Sequence, residues 1–193
     1  MPRIETRVLV EIALTIALAA VLNALKIWRM PNGGTISLNM LPLFVLAIRR
    51  GVGPAVIAGA LYGVVDLMFD AYVVNWAQFV LDYPLAYAMI GLAGGAHPAW
   101  RRAVAAGDTV RAMATVALPW MIVGTFGRFA AHWYSGIVFF GSFAPAGTPV
   151  AVYSAVYNAS YIIPSLVASA AAAMVVIPAL ERAVPSLTAQ AHA

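Results

Sequence analysis

Cysteine is absent from this 193-residue chain, and lysine occurs once, at Lys26. Without thiols there are no disulfides and no thiolate metal sites. With no Gly-Lys-Ser/Thr anywhere, there is no phosphate-cradling loop, so the chain cannot hydrolyse ATP by that route. The His-Glu-x-x-His spacing of zinc proteases is also missing. Charge is scarce: 9% of residues are charged, against about 25% in a soluble domain. Long linkers, low-complexity tracts and internal repeats are lacking too. Inverted repeats are a common signature of secondary transporters. Their absence and the small size argue against a self-sufficient carrier.

What fills the chain is apolar. Hydrophobic residues make up 63%, and mean hydropathy is +0.89. The composition predicts an all-α integral membrane protein, a single membrane domain over residues 1–193. Six apolar stretches mark its spans, at about Val8–Leu25, Ile36–Ile48, Pro54–Phe69, Ala77–Ala93, Ala114–Phe139 and Val152–Ile177. The second and third are short for a 30 Å crossing, and are expected to tilt or to border a polar cavity. Arg3 and Arg7 before the first stretch resemble the start of a signal peptide. Glu11 and the five spans that follow favour a retained helix.

Basic residues set the orientation. Arg3, Arg7, Arg49, Arg50, Arg101, Arg102, Arg111 and Arg182 fall on one side of the six spans, which is expected to be cytoplasmic. Lys26 and Arg29 fall on the other. Both termini are therefore expected inside. The net charge of +4 reads as topology, and no nucleic-acid partner is expected.

Asp82 lies within the fourth apolar run. A carboxylate near the bilayer centre costs roughly 2.5–3.5 kcal/mol on insertion scales, and usually has a cation to meet. Gln78 is four residues before it, on the same helical face. Tyr83 adjoins it. Arg128 and His132 share a face of the fifth span, and the sixth opens with Tyr153 and Asn158, about 140° apart on an ideal helix. Tyr72 occupies the outer loop before the fourth span, and Phe139 and Phe140 share a face with His132. Carboxylate and aromatic faces suit a delocalised cation. Asn158, His132 and tyrosine hydroxyls suit a heteroaromatic with donors and acceptors.

Plainer readings stand beside these. Asp82 paired with Arg128 is an ion pair that only locks two helices. His132 on an apolar helix is more often a satisfied core histidine. Tyrosines near span ends are usually interfacial. Asp66, a second carboxylate at membrane depth, is expected to be structural or at a cavity edge. The loop Trp28-Arg-Met-Pro-Asn-Gly-Gly-Thr35 is either a lid or a connector. Ala13/Ala17, Gly59/Gly63 and Gly91/Gly95 have small-xxx-small spacing, suited to internal packing or to a partner subunit.

The run Ser135-Gly-Ile-Val-Phe-Phe-Gly-Ser-Phe-Ala-Pro-Ala-Gly-Thr-Pro-Val150, with Val152-Tyr-Ser-Ala-Val-Tyr-Asn-Ala-Ser-Tyr161, resembles the thiamine-specific substrate-binding subunits of energy-coupling factor transporters. So do Gly33-Gly-Thr-Ile-Ser-Leu-Asn-Met-Leu-Pro42, Arg49-Arg-Gly51 and Gln78-Phe-Val-Leu-Asp-Tyr83. The resemblance covers nearly the whole chain. It implies a six-helix bundle that binds thiamine with high affinity in an outward-facing cage and has no chemistry or cofactor of its own. The matching positions put Asp82, Tyr83, His132, Tyr153 and Asn158 around the ligand, with Tyr72 and Phe140 close by. Ala13 and Ala17 match the docking stripe for the transmembrane coupling subunit, and two cytoplasmic ATPases would complete the transporter. The loop after the first helix would be the gate. Some members carry Glu where Asp82 stands and tryptophan where Phe140 stands; Trp28 is a candidate to replace lost stacking.

Two alternatives follow. The same fold can bind another vitamin or a thiamine precursor. An intramembrane hydrolase using Asp66 and Asp82 as an aspartyl pair, with His132 as base, is the remote one.

Overall fold

A computed structural model describes residues 5–184. Helix α1 (Thr6–Ala24) leads through a short hairpin, β1 (Trp28–Arg29) and β2 (Thr35–Ile36), into α2 (Met40–Arg50) and α3 (Val52–Asp70). Three long helical segments follow: α4 (Trp76–Ala105), α5 (Thr109–Phe139) and α6 (Val150–Ala183). All but α2 are long and apolar enough to cross a membrane.

The second expected span needs correcting. Ile36 belongs to β2, paired with Trp28, and the helix begins only at Met40. Its 11 residues reach ~16 Å, about half the hydrocarbon thickness. The physical reason lies in Ser37 and Asn39, both buried and hydrogen-bonded to polar groups of neighbouring elements. Irregular backbone at membrane depth is tolerated where protein or a cavity surrounds it. Helix α2 itself is enclosed, with Met40, Leu43, Phe44, Ala47 and Ile48 fully buried. Up to its terminal Arg49 and Arg50 the helix is apolar on all sides, which fits such a central place.

Helix α4 runs twelve residues beyond its expected end at Ala93 and is irregular twice. Proline has no N–H and its ring clashes with the preceding turn. Around Pro84 the helix accordingly widens to a π-turn over Leu81–Leu85, the segment that carries Asp82. Such turns re-aim side chains. Gly91–Ala96 then narrows to a 3-10 turn.

Close backbone contact fixes α3 against α4. A Cβ added at Gly59 would lie 2.2 Å from the Tyr87 carbonyl oxygen, and one at Gly63 would lie 2.3 Å from that of Tyr83. These small residues therefore serve internal packing. Ala13 and Ala17 differ: both are exposed on α1, beside exposed Leu9, Leu14 and Leu18.

Charged contacts gather at one end of the bundle. Arg50 donates to both oxygens of Glu11, and Arg7 lies 3.5 Å from the same carboxylate. Arg49 sits 3.5 Å from Glu181 and donates to the Val184 carbonyl at 2.8 Å. Trp100 Nε1 also reaches Glu181. The start of α1 and the end regions of α2, α4 and α6 thus meet, as the charge count expects. Arg3 lies outside the described residues. The hairpin, the 71–75 loop and the α5–α6 connection lie at the other end, around a cavity.

Candidate functional site

The cavity at that end, with its open mouth, holds about 1120 Å³ of empty space. Asp82, Tyr83, His132, Tyr153, Asn158, Tyr72 and Phe140, separated by up to 86 positions in sequence, all line it.

Asp82 is the focus. Its Oδ2 accepts from Gln78 Nε2 at 2.7 Å and from Ser135 Oγ at 2.8 Å. Its Oδ1 lies 3.0 Å from His132 Nδ1. Arg128 Nε donates to His132 Nε2 at 3.5 Å, which assigns the ring proton to Nδ1 and its donation to Asp82. The carboxylate side chain is 13% exposed. Its donors among the described residues are therefore Gln78, Ser135 and an imidazole in its uncharged tautomer.

Gln78 also ties this carboxylate to the 71–75 loop. Its Nε2 donates to the Tyr72 carbonyl at 3.1 Å, and its Oε1 accepts from Val74 N–H at 3.1 Å. The Tyr83 hydroxyl accepts from Tyr72 N–H at 2.8 Å. This bracing holds the Tyr72 ring 5.7 Å from Phe140, whose ring stacks on Phe143 at 6.2 Å. An aromatic rim results.

Helix α6 supplies the opposite wall. Tyr153 and Tyr157 lie 5.9 Å apart, Tyr157 and Tyr161 6.2 Å apart. Asn158 is buried, donates to the Ser154 carbonyl and accepts from the Tyr161 hydroxyl at 2.7 Å. Tyr153 and Asn158 reach one cavity despite their angular offset, because the tyrosine is long enough to reach round.

The 28–35 loop is the hairpin, seated over this wall. The Tyr157 hydroxyl accepts from Asn32 N–H and donates to the Gly33 carbonyl, both at 2.9 Å. Gly34 has φ +91° and lies flat on the Tyr161 ring, where an added Cβ would come within 2.7 Å. The loop thus covers the cavity and is more than a connector. Trp28, offered as a replacement stacking residue, is 63% exposed and does not line the cavity. It sits on the outer strand of the hairpin.

Several lining residues escaped the sequence reading. Tyr157 and Tyr161 continue the four-residue spacing of Tyr153, a signal that was available. Ser135, one turn after His132, is buried outside the lining but donates to Asp82. Asp66 lines the cavity, in keeping with its expected structural or cavity-edge place, and its partners, like those of Arg128, emerge only in three dimensions. Arg128 does not pair directly with Asp82: its Nη2 donates to the Tyr87 hydroxyl at 3.2 Å and its guanidinium lies 4.5 Å over the Tyr87 ring. Asp66 accepts from Asn23 at 2.7 Å and from the Tyr62 and Tyr87 hydroxyls at 3.1 Å. The two carboxylates are held by separate sets of donors, which does not resemble an aspartyl pair sharing a proton.

Comparison with known proteins gives a concordant set of matches. Residues 9–187 match the family described as Thiamine transporter protein (Thia_YuaJ). The chain is similar to Thiamine transporter ThiT of Bacillus subtilis (strain 168), 38% identical over 162 residues, which are 82% of this chain and 84% of the relative. It is similar also to Thiamine transporter ThiT of Lacticaseibacillus paracasei, 34% identical over 155 residues, 78% of this chain and 77% of that one. A solved structure of ThiT from Listeria monocytogenes superposes with a TM-score of 0.80 at 28% identity, covering 91% of this chain and 95% of the other.

Proposed function

Since the chain belongs to the thiamine transporter protein family, we propose that it is the thiamine-capturing subunit of an energy-coupling-factor-type uptake system. It is a multi-pass protein of the plasma membrane. Thiamine carries a permanently charged thiazolium and an aminopyrimidine. Asp82 faces the charge, and the aromatic rim of Tyr72 and Phe140 flanks the rings. Asn158, Tyr153, Tyr83 and His132 serve the polar pyrimidine edge. The observation that carries the reading is Asp82 itself: a largely buried carboxylate, held by uncharged donors in an aromatic cavity. A buried charge without a counter-charge is costly, and a cationic ligand removes that cost.

The cavity opens outward, the termini face the cytoplasm, and the hairpin over Tyr157 gates access. Transport needs partners. The exposed Ala13 and Ala17 of α1 receive a transmembrane coupling subunit, and two ATPase subunits supply the energy that this chain cannot.

Calorimetry of the purified protein in detergent tests the binding claim, with thiamine, its isolated pyrimidine half and riboflavin as ligands. Tight binding of thiamine alone is expected. Preferred binding of the pyrimidine half would make the protein a precursor receptor, and preference for riboflavin would end the thiamine reading.

A further inference from the structure

Arg128 is buried at 3% exposure and stands between the two carboxylates of the cavity, linked to each through an uncharged residue. Toward Asp82 the link is long, Nε to His132 Nε2 at 3.5 Å and from there to the carboxylate. Toward Asp66 it is closer. Nη2 donates to the Tyr87 hydroxyl at 3.2 Å, and the guanidinium lies on the Tyr87 ring. Asn39 Nδ2 donates to the same hydroxyl at 3.1 Å. A phenol that accepts twice has one proton left to give, and it goes to Asp66 Oδ2 at 3.1 Å. Asn23 and Tyr62 fix the other oxygen of Asp66. The arginine is therefore tied to Asp66 and turned from Asp82.

We propose that Asp66 is a positioning residue for cation recognition: through Tyr87 it neutralises Arg128 and so leaves the charge of Asp82 to the ligand. The inference rests on the thiamine reading above. Two carboxylates against one guanidinium leave the buried part of the site with one unbalanced negative charge, and one thiazolium balances it. Arg29 also lines the cavity, but at its exposed rim, where solvent and salt screen it. Without the charge of Asp66, the carboxylate left to balance Arg128 is Asp82, reached through His132. A permanent cation entering that site would then leave a buried positive charge uncompensated. Asp66 acts without touching the ligand.

The test compares the affinity for thiamine with that for an uncharged isostere in which carbon replaces the quaternary thiazolium nitrogen. The ratio of the two within one variant cancels any general loss of fold. Asp66→Asn is expected to lower the thiamine-to-isostere ratio about tenfold, the scale of one charge interaction in a partly screened site. Asp66→Asn combined with Arg128→Gln is expected to bring the ratio back to within about threefold of the unaltered protein, because both charges are then gone. Asp66→Glu, which keeps the charge but disturbs the packing more, is expected to hold the ratio. An unchanged ratio in Asp66→Asn would overturn the proposal. So would an equally low ratio in the double variant, which would make Asp66 a direct ligand contact, or an equal fall in Asp66→Glu, which would make the effect one of packing. Failure of the unaltered protein to bind thiamine would instead remove the functional reading itself.

Discussion

His132 Nδ1 lies 3.0 Å from Asp82 Oδ1, joining α5 to the π-turn of α4 across 50 positions of sequence. One turn along α5, Ser135 Oγ donates to the other oxygen at 2.8 Å. Hydrogen bonds to a charged group contribute about 1.5–3 kcal/mol when buried. Ser135→Ala is expected to lower the ligand-free stability in detergent by about 1–2 kcal/mol, the lower end because Asp82 keeps some solvent contact. Thermal unfolding with and without thiamine checks it. An unaltered unfolding temperature without ligand would show that this bond does not support the carboxylate.

The tip of the hairpin is held by the Tyr157 hydroxyl, while Thr35 at its base is bonded to Asn23 and Ser165. Tyr157→Phe keeps the ring and removes both bonds to Asn32 and Gly33. Two neutral hydrogen bonds contribute about 1–3 kcal/mol net. The closed loop should loosen, and thiamine should dissociate about tenfold faster, with a smaller effect on association. Stopped-flow tryptophan fluorescence reads both rates. Equal dissociation from both proteins would mean that the hairpin does not retain the ligand.

Behind the π-turn, Gly63 meets the Tyr83 carbonyl directly. Gly63→Ala forces α3 from α4 at the turn that aims Asp82. A loss of about 1–3 kcal/mol in stability is expected from such overpacking, with weaker thiamine binding. Full retention of both would show that the helices separate there at little cost.

Docking is tested on α1. Ala13→Trp puts a large ring on an exposed face and alters nothing in the cavity. Thiamine binding by the isolated protein should be unchanged, and thiamine uptake with coupling and ATPase subunits should be lost. Normal uptake would remove this face from the docking surface.

Much of this architecture was legible in the sequence because lipid imposes simple rules. Length and hydropathy marked six apolar stretches, of which five correspond to helices long and apolar enough to cross a membrane, and the arginine count marked the end where Arg7, Arg49 and Arg50 meet their carboxylates. Helical spacing paired Gln78 with Asp82 and Arg128 with His132, and both contacts are present. Helix α2 starts later than the apolar run from Ile36, because such a run does not reveal where Ser37 and Asn39 find buried partners. The partners of Arg128 were hidden for a similar reason. Tyr87 reads as one more aromatic in a span, and only the packing of α3, α4 and α5 makes its hydroxyl the link to Asp66. Spacing finds neighbours on one helix, whereas contacts between helices depend on how the bundle closes.

In the proposed function, the Asp82 carboxylate supplies the counter-charge for thiamine. The most direct measurement is a calorimetric titration of thiamine into the unaltered protein and into Asp82→Asn, in detergent, with ligand-free thermal stability as the check on folding. Loss of that charge leaves the ligand's cation buried without its counter-charge, so affinity should fall by about 2–3 kcal/mol while the variant still folds. Equal affinity in a folded Asp82→Asn protein would contradict the account.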